Sequence, residues 1–178
     1  MYTGTMNADG EKKRAIGQST PARIATAYHE AGHAVMAVSL GRTIHKATIA
    51  PAKIQTGGTR MGAVKLERGR RKSGQDWLED EVLILFAGMV AEAQFTGARC
   101  TQGAASDLRA IEKLLCTRAQ TQRQFEKLHR RLLDKTEYLL SDQVHEQAIK
   151  VVAEQLLLHE TIKGRLVKHY FEQVGGGK

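Results

Sequence analysis

His29, Glu30 and His33 form an H-E-x-x-H segment inside Ala27–Val35. In a helix, residues four apart sit one above the other on one face, so both imidazoles can reach a single metal ion. Imidazole and carboxylate donors suit Zn²⁺ in a tetrahedral site that keeps one position open for water. Glu30 projects beside the pair, placed to take a proton from that water rather than to bind the metal. The chemistry implied is metal-assisted attack of water on a carbonyl. The alternative, two core histidines beside a surface glutamate, is the weaker reading because the segment lies in a helix that is capped and correctly phased.

That helix is announced on both sides. Ser19-Thr20-Pro21 offers a hydroxyl cap followed by a proline whose missing N–H costs nothing in the first turn. Ile24, Ala27, Tyr28, Ala31, Val35 and Val38 recur at helical spacing, and Gly41 supplies the stop. Ala31, Gly32 and Ala34 keep the helix slim around the histidines, so neighbouring segments can approach closely. A glycine in mid-helix costs about 1 kcal/mol, so something other than propensity favours Gly32.

Two imidazoles need a third protein ligand. A metzincin-type extension would require glycine and histidine at positions held by Met36 and Ser39. A thermolysin-like site would draw a glutamate from a later helix, which makes Glu79, Glu81 and Glu92 candidates. The remaining choice is Asp107, in the first turn of a later helix, where backbone N–H groups and the helix dipole favour an ionised carboxylate. From the residues alone Asp107 and Glu92 are close rivals, and a carboxylate placed like Asp107 is more often a cap.

The rest of the chain must position these groups. Residues 1–18 show no period and read as a flexible leader, and 19–174 read as one domain without internal repeat or linker. Lys46–Ala50 and Met61–Leu66 alternate as short strands around a turn at Thr56–Thr59, which suggests a small hairpin beside the metal-binding helix. An exposed strand there could hold a substrate backbone in extended form. From about Gln75 to Phe95 a second helix is apolar nearly all round and should be the buried centre, with Glu92 a lone acid near its far end. A third helix starts near Ala104 or Ala105. Helical stretches are expected near Gln122–Leu140, Asp142–Leu158 and Ile162–Glu172. The fold class expected is mainly α, a helical bundle with one small β-hairpin.

The 178 residues carry 27 Lys and Arg against 19 Asp and Glu, a formal charge of +8. That balance favours acidic partners, but aromatics are only 5% and are not interleaved with the cations, which argues against a nucleic-acid stacking surface. Arg68–Lys72 sits in a glycine-punctuated loop that reads as a solvated connection or as a docking patch for an acidic partner. Cys100 and Cys116 share no metal-ligand or redox spacing. The longest apolar run, Val82 to Ala91, is about half a bilayer crossing, so no membrane span and a cytoplasmic location are expected.

Several stretches resemble one family, the FtsH-type AAA+ zinc proteases, and specifically their peptidase domain. Ala27–Met36 (AYHEAGHAVM) is similar to the segment carrying both histidines and the base. Phe86–Ala93 (FAGMVAEA) resembles the family's L-G-G-R-x-A-E-E, Gln102–Leu108 (QGAASDL) its T-G-A-x-x-D-L, and Leu156–Gly164 (LLLHETIKG) its L-L-x-x-E-T-L-x-G. The resemblance implies that His29, His33 and Asp107 bind zinc and that Glu30 is the general base, with Glu92 a helix residue near the site and not a ligand. It also implies a hexamer, although Met89 stands where the family usually has arginine. The sequence holds no G-x-x-x-x-G-K-[ST] loop, so a free-standing, ATP-independent zinc metallopeptidase acting on peptides or unfolded segments is expected. The competing expectation is a zinc-containing binding or adaptor module without turnover.

Overall fold

In the computed structural model the described residues are 19–53, 59–60, 62–66, 76–98, 101 and 103–176. The expected leader at 1–18, the turn at 56–58, the basic loop containing Arg68–Lys72 and the segment around Cys100 lie outside them.

Helix α1 (Pro21–Ser39) is capped by Thr20, whose side chain accepts a hydrogen bond from the Arg23 N–H at 3.3 Å. It leads into strand β1 (Ile44–Thr48), the short ladder β2 (Ala52–Lys53) with β3 (Thr59–Arg60), and β4 (Ala63–Leu66). Helix α2 (Trp77–Thr96) follows, its N-terminus capped by Asp76 through the N–H groups of Leu78 and Glu79, both at 3.2 Å. Gly97, in the left-handed region, ends it. Next come α3 (Ala105–Cys116), α4 (Gln122–Leu140), α5 (Gln143–His159), β5 (Thr161–Lys163) and α6 (Gly164–Gly175).

Because α2 is apolar on every side, it is the element the others wrap. Twelve of its residues are buried, Val82, Phe86 and Ala87 completely. Helix α1 crosses it most intimately, and α4 docks through Leu132, Thr136 and Leu140, a stripe at four-residue spacing. Exposed ion pairs of Arg131 and Lys135 with Glu79 flank that contact at 2.9 and 2.6 Å. Such pairs contribute less than about 1 kcal/mol each, whereas each fully buried leucine or phenylalanine contributes about 1.5–3 kcal/mol. The docking of α4 is therefore set by Phe86, Leu132 and Leu140. Helices α5 and α6 close the other side of α1.

The hairpin of the sequence analysis is larger than expected. Strands β1 and β4 pair antiparallel, Ala47 opposite Val64, and β5 pairs antiparallel on the other edge of β1, Ala47 opposite Ile162. Residues 161–163 therefore form a strand where the periodicity predicts the start of a helix, and α6 begins only at Gly164. The physical reason is local. Glu160, at φ 58, turns the chain sharply at the end of α5, and Ile162 then points into the core between exposed Thr161 and Lys163. An alternation of three residues is too short to announce itself as a strand.

No helix among the described residues is long and apolar enough to cross a membrane. Cys116 is an exposed free thiol, and Met89 is buried inside the protomer, 5% exposed.

Candidate metal centre

Helix α1 delivers His29, Glu30 and His33 on its buried side, where they are 8%, 5% and 8% exposed. The slimness of this stretch serves its contact with α2. A Cβ added at Gly32 would lie 2.6 Å from the Ala91 Cβ, so only glycine lets the two helices meet at this distance. The reciprocal position on α2 is Gly88. A Cβ there would sit 2.5 Å from His33 Nε2 and 2.8 Å from His29 Nε2, filling the space that both rings face.

Each ring is held by its other nitrogen. His33 Nδ1 donates to the Ile84 backbone carbonyl at 2.7 Å, and His29 Nδ1 donates to Glu92 Oε2 at 2.9 Å. Fixing the proton on Nδ1 leaves the lone pairs of both Nε2 atoms facing inward, where they could hold a metal. The rings meet edge to face with centroids 4.7 Å apart.

Asp107 arrives from the first turn of α3. That helix has Ala104 at its N-cap, with no side-chain cap hydrogen bond, and the Asp107 carboxylate faces the histidines instead of its own backbone. Its Oδ2 lies 3.1 Å from His29 Nε2 and 3.4 Å from His33 Nε2. One ligand atom from each of His29, His33 and Asp107 lies within 4.8 Å of the others, the one such His/Cys/Asp/Glu grouping among the described residues.

The electrostatics of the cluster are those of a cation site. Burial disfavours a charged His29, but the hydrogen bonds to Asp107 and Glu92 outweigh it and raise its pKa to about 9. For Asp107 burial pushes the carboxyl up, while the hydrogen bonds from His29 and His33 outweigh burial and hold it well below the usual carboxylate range. A proton on His29 Nε2 thus stands where a divalent cation would be shared between the same atoms. Two inward imidazole nitrogens, one ionised carboxylate and a cradle that a Cβ would fill together fit Zn²⁺.

The other candidate carboxylates are placed elsewhere. Glu79 pairs with Arg131 and Lys135, and Glu81 with Arg42 at 3.5 Å. Glu92 lies behind His29, on the Nδ1 side opposite Asp107, so it orients a ring rather than joining the cluster. Its signal in the sequence was a lone acid on an apolar helix, a buried charge that needs a partner. The Ile84 carbonyl leaves no such trace, whereas Gly88 has one in being a glycine in mid-helix.

Glu30 is buried next to this cluster, and its charge helps to raise the pKa of His29. Gly62, the residue before β4, packs against it. A Cβ there would lie 2.6 Å from Glu30 Cγ, so the start of the β4 edge strand lies directly over the carboxylate.

Among known families, the model described as Peptidase family M41 matches residues 17–122. The chain is 36% identical over 113 residues to ATP-dependent zinc metalloprotease FtsH 2 of Methylacidiphilum infernorum, an alignment covering 60% of this chain and 17% of that protein. It is 36% identical over 110 residues to ATP-dependent zinc metalloprotease FtsH of Caulobacter vibrioides, covering 59% and 17% respectively. The corresponding protein of Rickettsia typhi is 33% identical over 118 residues, covering 62% and 18%. The chain thus spans under a fifth of the length of these relatives. Helices α4 to α6 follow the family match and pack onto α1 and α2.

Proposed function

The chain belongs to peptidase family M41, and from that membership we propose that residues 19–174 act as one zinc peptidase domain that hydrolyses peptides or unfolded protein segments without ATP. In this reading His29, His33 and Asp107 hold Zn²⁺ and Glu30 is the general base. The single observation that carries it is the convergence of those three donors beside a buried glutamate.

Zinc in such a site supplies a Lewis acid that polarises a carbonyl and makes water easier to deprotonate. The protein's own residues do the rest. Glu30 accepts the proton of the attacking water and returns it to the departing amine. Glu92 and the Ile84 carbonyl lock the two imidazoles with Nε2 inward, so no reorganisation is needed when substrate arrives. Strand β4 is an edge of the sheet β4-β1-β5 and starts over Glu30, so an extended chain pairing with that edge would bring a peptide carbonyl to the carboxylate. A folded protein offers no such free strand, which is why unfolded segments are the expected substrates.

The test is direct. Zinc-loaded protein is incubated with internally quenched peptides, an unstructured protein and a tightly folded one, with and without a chelator. Cleavage of the first two, its loss on chelation and its return on adding zinc are expected, with the folded protein resistant. Normal zinc loading without cleavage of any substrate would favour the non-catalytic binding module instead.

A further inference from the structure

The positive charge of this chain is not spread evenly. A cleft of about 770 Å³ opens between the C-terminal end of α1, strands β1 and β5, and the start of α6. Its wall carries the cations Arg42, Lys46, Lys163, Arg165 and Lys168, and no Asp or Glu among the described residues lines it. Two of these cations have acidic neighbours, Arg42 with Glu81 at 3.5 Å and Lys168 with Glu172 at 3.6 Å. Among the described residues Lys46, Lys163 and Arg165 have no ion-pair partner.

The sheet makes the crowding worse. Lys46 on β1 lies directly opposite Lys65 on β4 and Lys163 on β5, so three lysines cross the sheet in one row. All three are exposed. Like charges at paired positions on neighbouring strands, about 4.8 Å apart, destabilise the pairing. The fold thus carries an electrostatic cost here that an anionic ligand would relieve.

We propose that this cleft binds acidic peptide segments, runs of Asp and Glu side chains, as a docking site apart from the metal centre. The cations surround a part of the cleft formed by Val38 and Ile44, so carboxylates and aliphatic side chains of one peptide are accommodated together. Among the described residues no Phe, Tyr or Trp lines the cleft, so nucleobases find only the His45 imidazole as an aromatic face to stack on. Position ties the cleft to turnover. From Glu30 to Val38 is about 12 Å along α1, the reach of roughly four residues of extended chain. Because α1 is buried between these two points, the joining chain must pass around it, so the expected substrate carries its acidic residues more than roughly four positions from the bond at Glu30. That role in substrate choice rests on the peptidase reading; the binding itself does not.

Fluorescence anisotropy on the full chain separates the two. The probes are a labelled Asp/Glu-rich peptide, its Asn/Gln counterpart and a single-stranded oligothymidylate of similar length. The background is Glu30→Gln, which prevents cleavage and leaves the cleft intact. The acidic peptide is expected to bind at least about tenfold more tightly than either control, to weaken steeply as salt rises, and to lose about tenfold or more in Lys46→Gln/Lys163→Gln/Arg165→Gln. Thermal melting of that triple variant should show it folded and no less stable, since it removes like-charge contacts. Equal binding by the triple variant, equal binding of the neutral peptide, or oligothymidylate binding as tight as the acidic peptide would each overturn the proposal. With active protein, acidic and neutral quenched peptides then report whether cleavage follows binding. Binding without any cleavage would sink the peptidase reading alone, and cleavage without acidic binding would sink the docking site alone.

Discussion

Glu30→Gln is expected to lower kcat for a quenched peptide by about 10²–10⁴-fold while leaving bound zinc and KM little changed. The substitution keeps the volume that packs against Gly62 and removes the charge, and with it the ability to accept a proton. Glu30 is buried at 5% exposure and glutamine matches its size, so the melting temperature should stay close to that of wild type. A loss of activity without a loss of fold or metal is what separates a base from a structural residue. If the variant turns over within a few-fold of wild type, Glu30 is not the base and the mechanism above is wrong.

The second large effect is on the metal itself. Asp107→Ala removes one of the three proposed donors and leaves His29 Nε2 and His33 Nε2 without the carboxylate they face. Loss of an outer partner of a metal ligand weakens binding by about 10–100-fold, so loss of a donor is expected to exceed about 100-fold. Glu92→Gln supplies the comparison. It keeps an acceptor for His29 Nδ1–H but removes the charge behind the ring, and should fall within that 10–100-fold range. Competition with a chromophoric chelator at fixed pH reads both. The expected order is wild type, then Glu92→Gln, then Asp107→Ala. An Asp107→Ala protein that binds zinc like wild type would remove Asp107 from the donor set, and a reversed order would exchange its role with that of Glu92.

What the sequence could tell was decided by distance along the chain. His29, Glu30 and His33 are one helical turn, so their shared geometry follows from spacing alone, and the Thr20-Pro21 start fixes the helix they ride on. Asp107 lies 78 residues from His29, and no periodicity relates them. Only resemblance favoured it over Glu92, and the structure shows why the two were rivals. Both carboxylates touch His29, one at each ring nitrogen. The buried helix α2 was legible because apolar residues on every side have one solution. Strand β5 was not, since three residues carry no period and its register depends on a partner more than a hundred positions away. The lysine row is invisible for the same reason. Lys46, Lys65 and Lys163 become neighbours only once three strands are paired. The Ile84 carbonyl that orients His33 is a backbone atom, and side-chain identity says nothing about it.

All of this depends on one ion being shared by His29, His33 and Asp107. X-ray absorption at the zinc edge on the zinc-loaded protein tests it most directly. Two imidazole nitrogens at about 2.0–2.1 Å and carboxylate oxygen at about 2.0–2.2 Å are predicted, with one imidazole lost in His33→Ala. A sulfur scatterer at about 2.3 Å, which only Cys100 or Cys116 or a methionine could supply, or a shell without imidazole, would contradict the account.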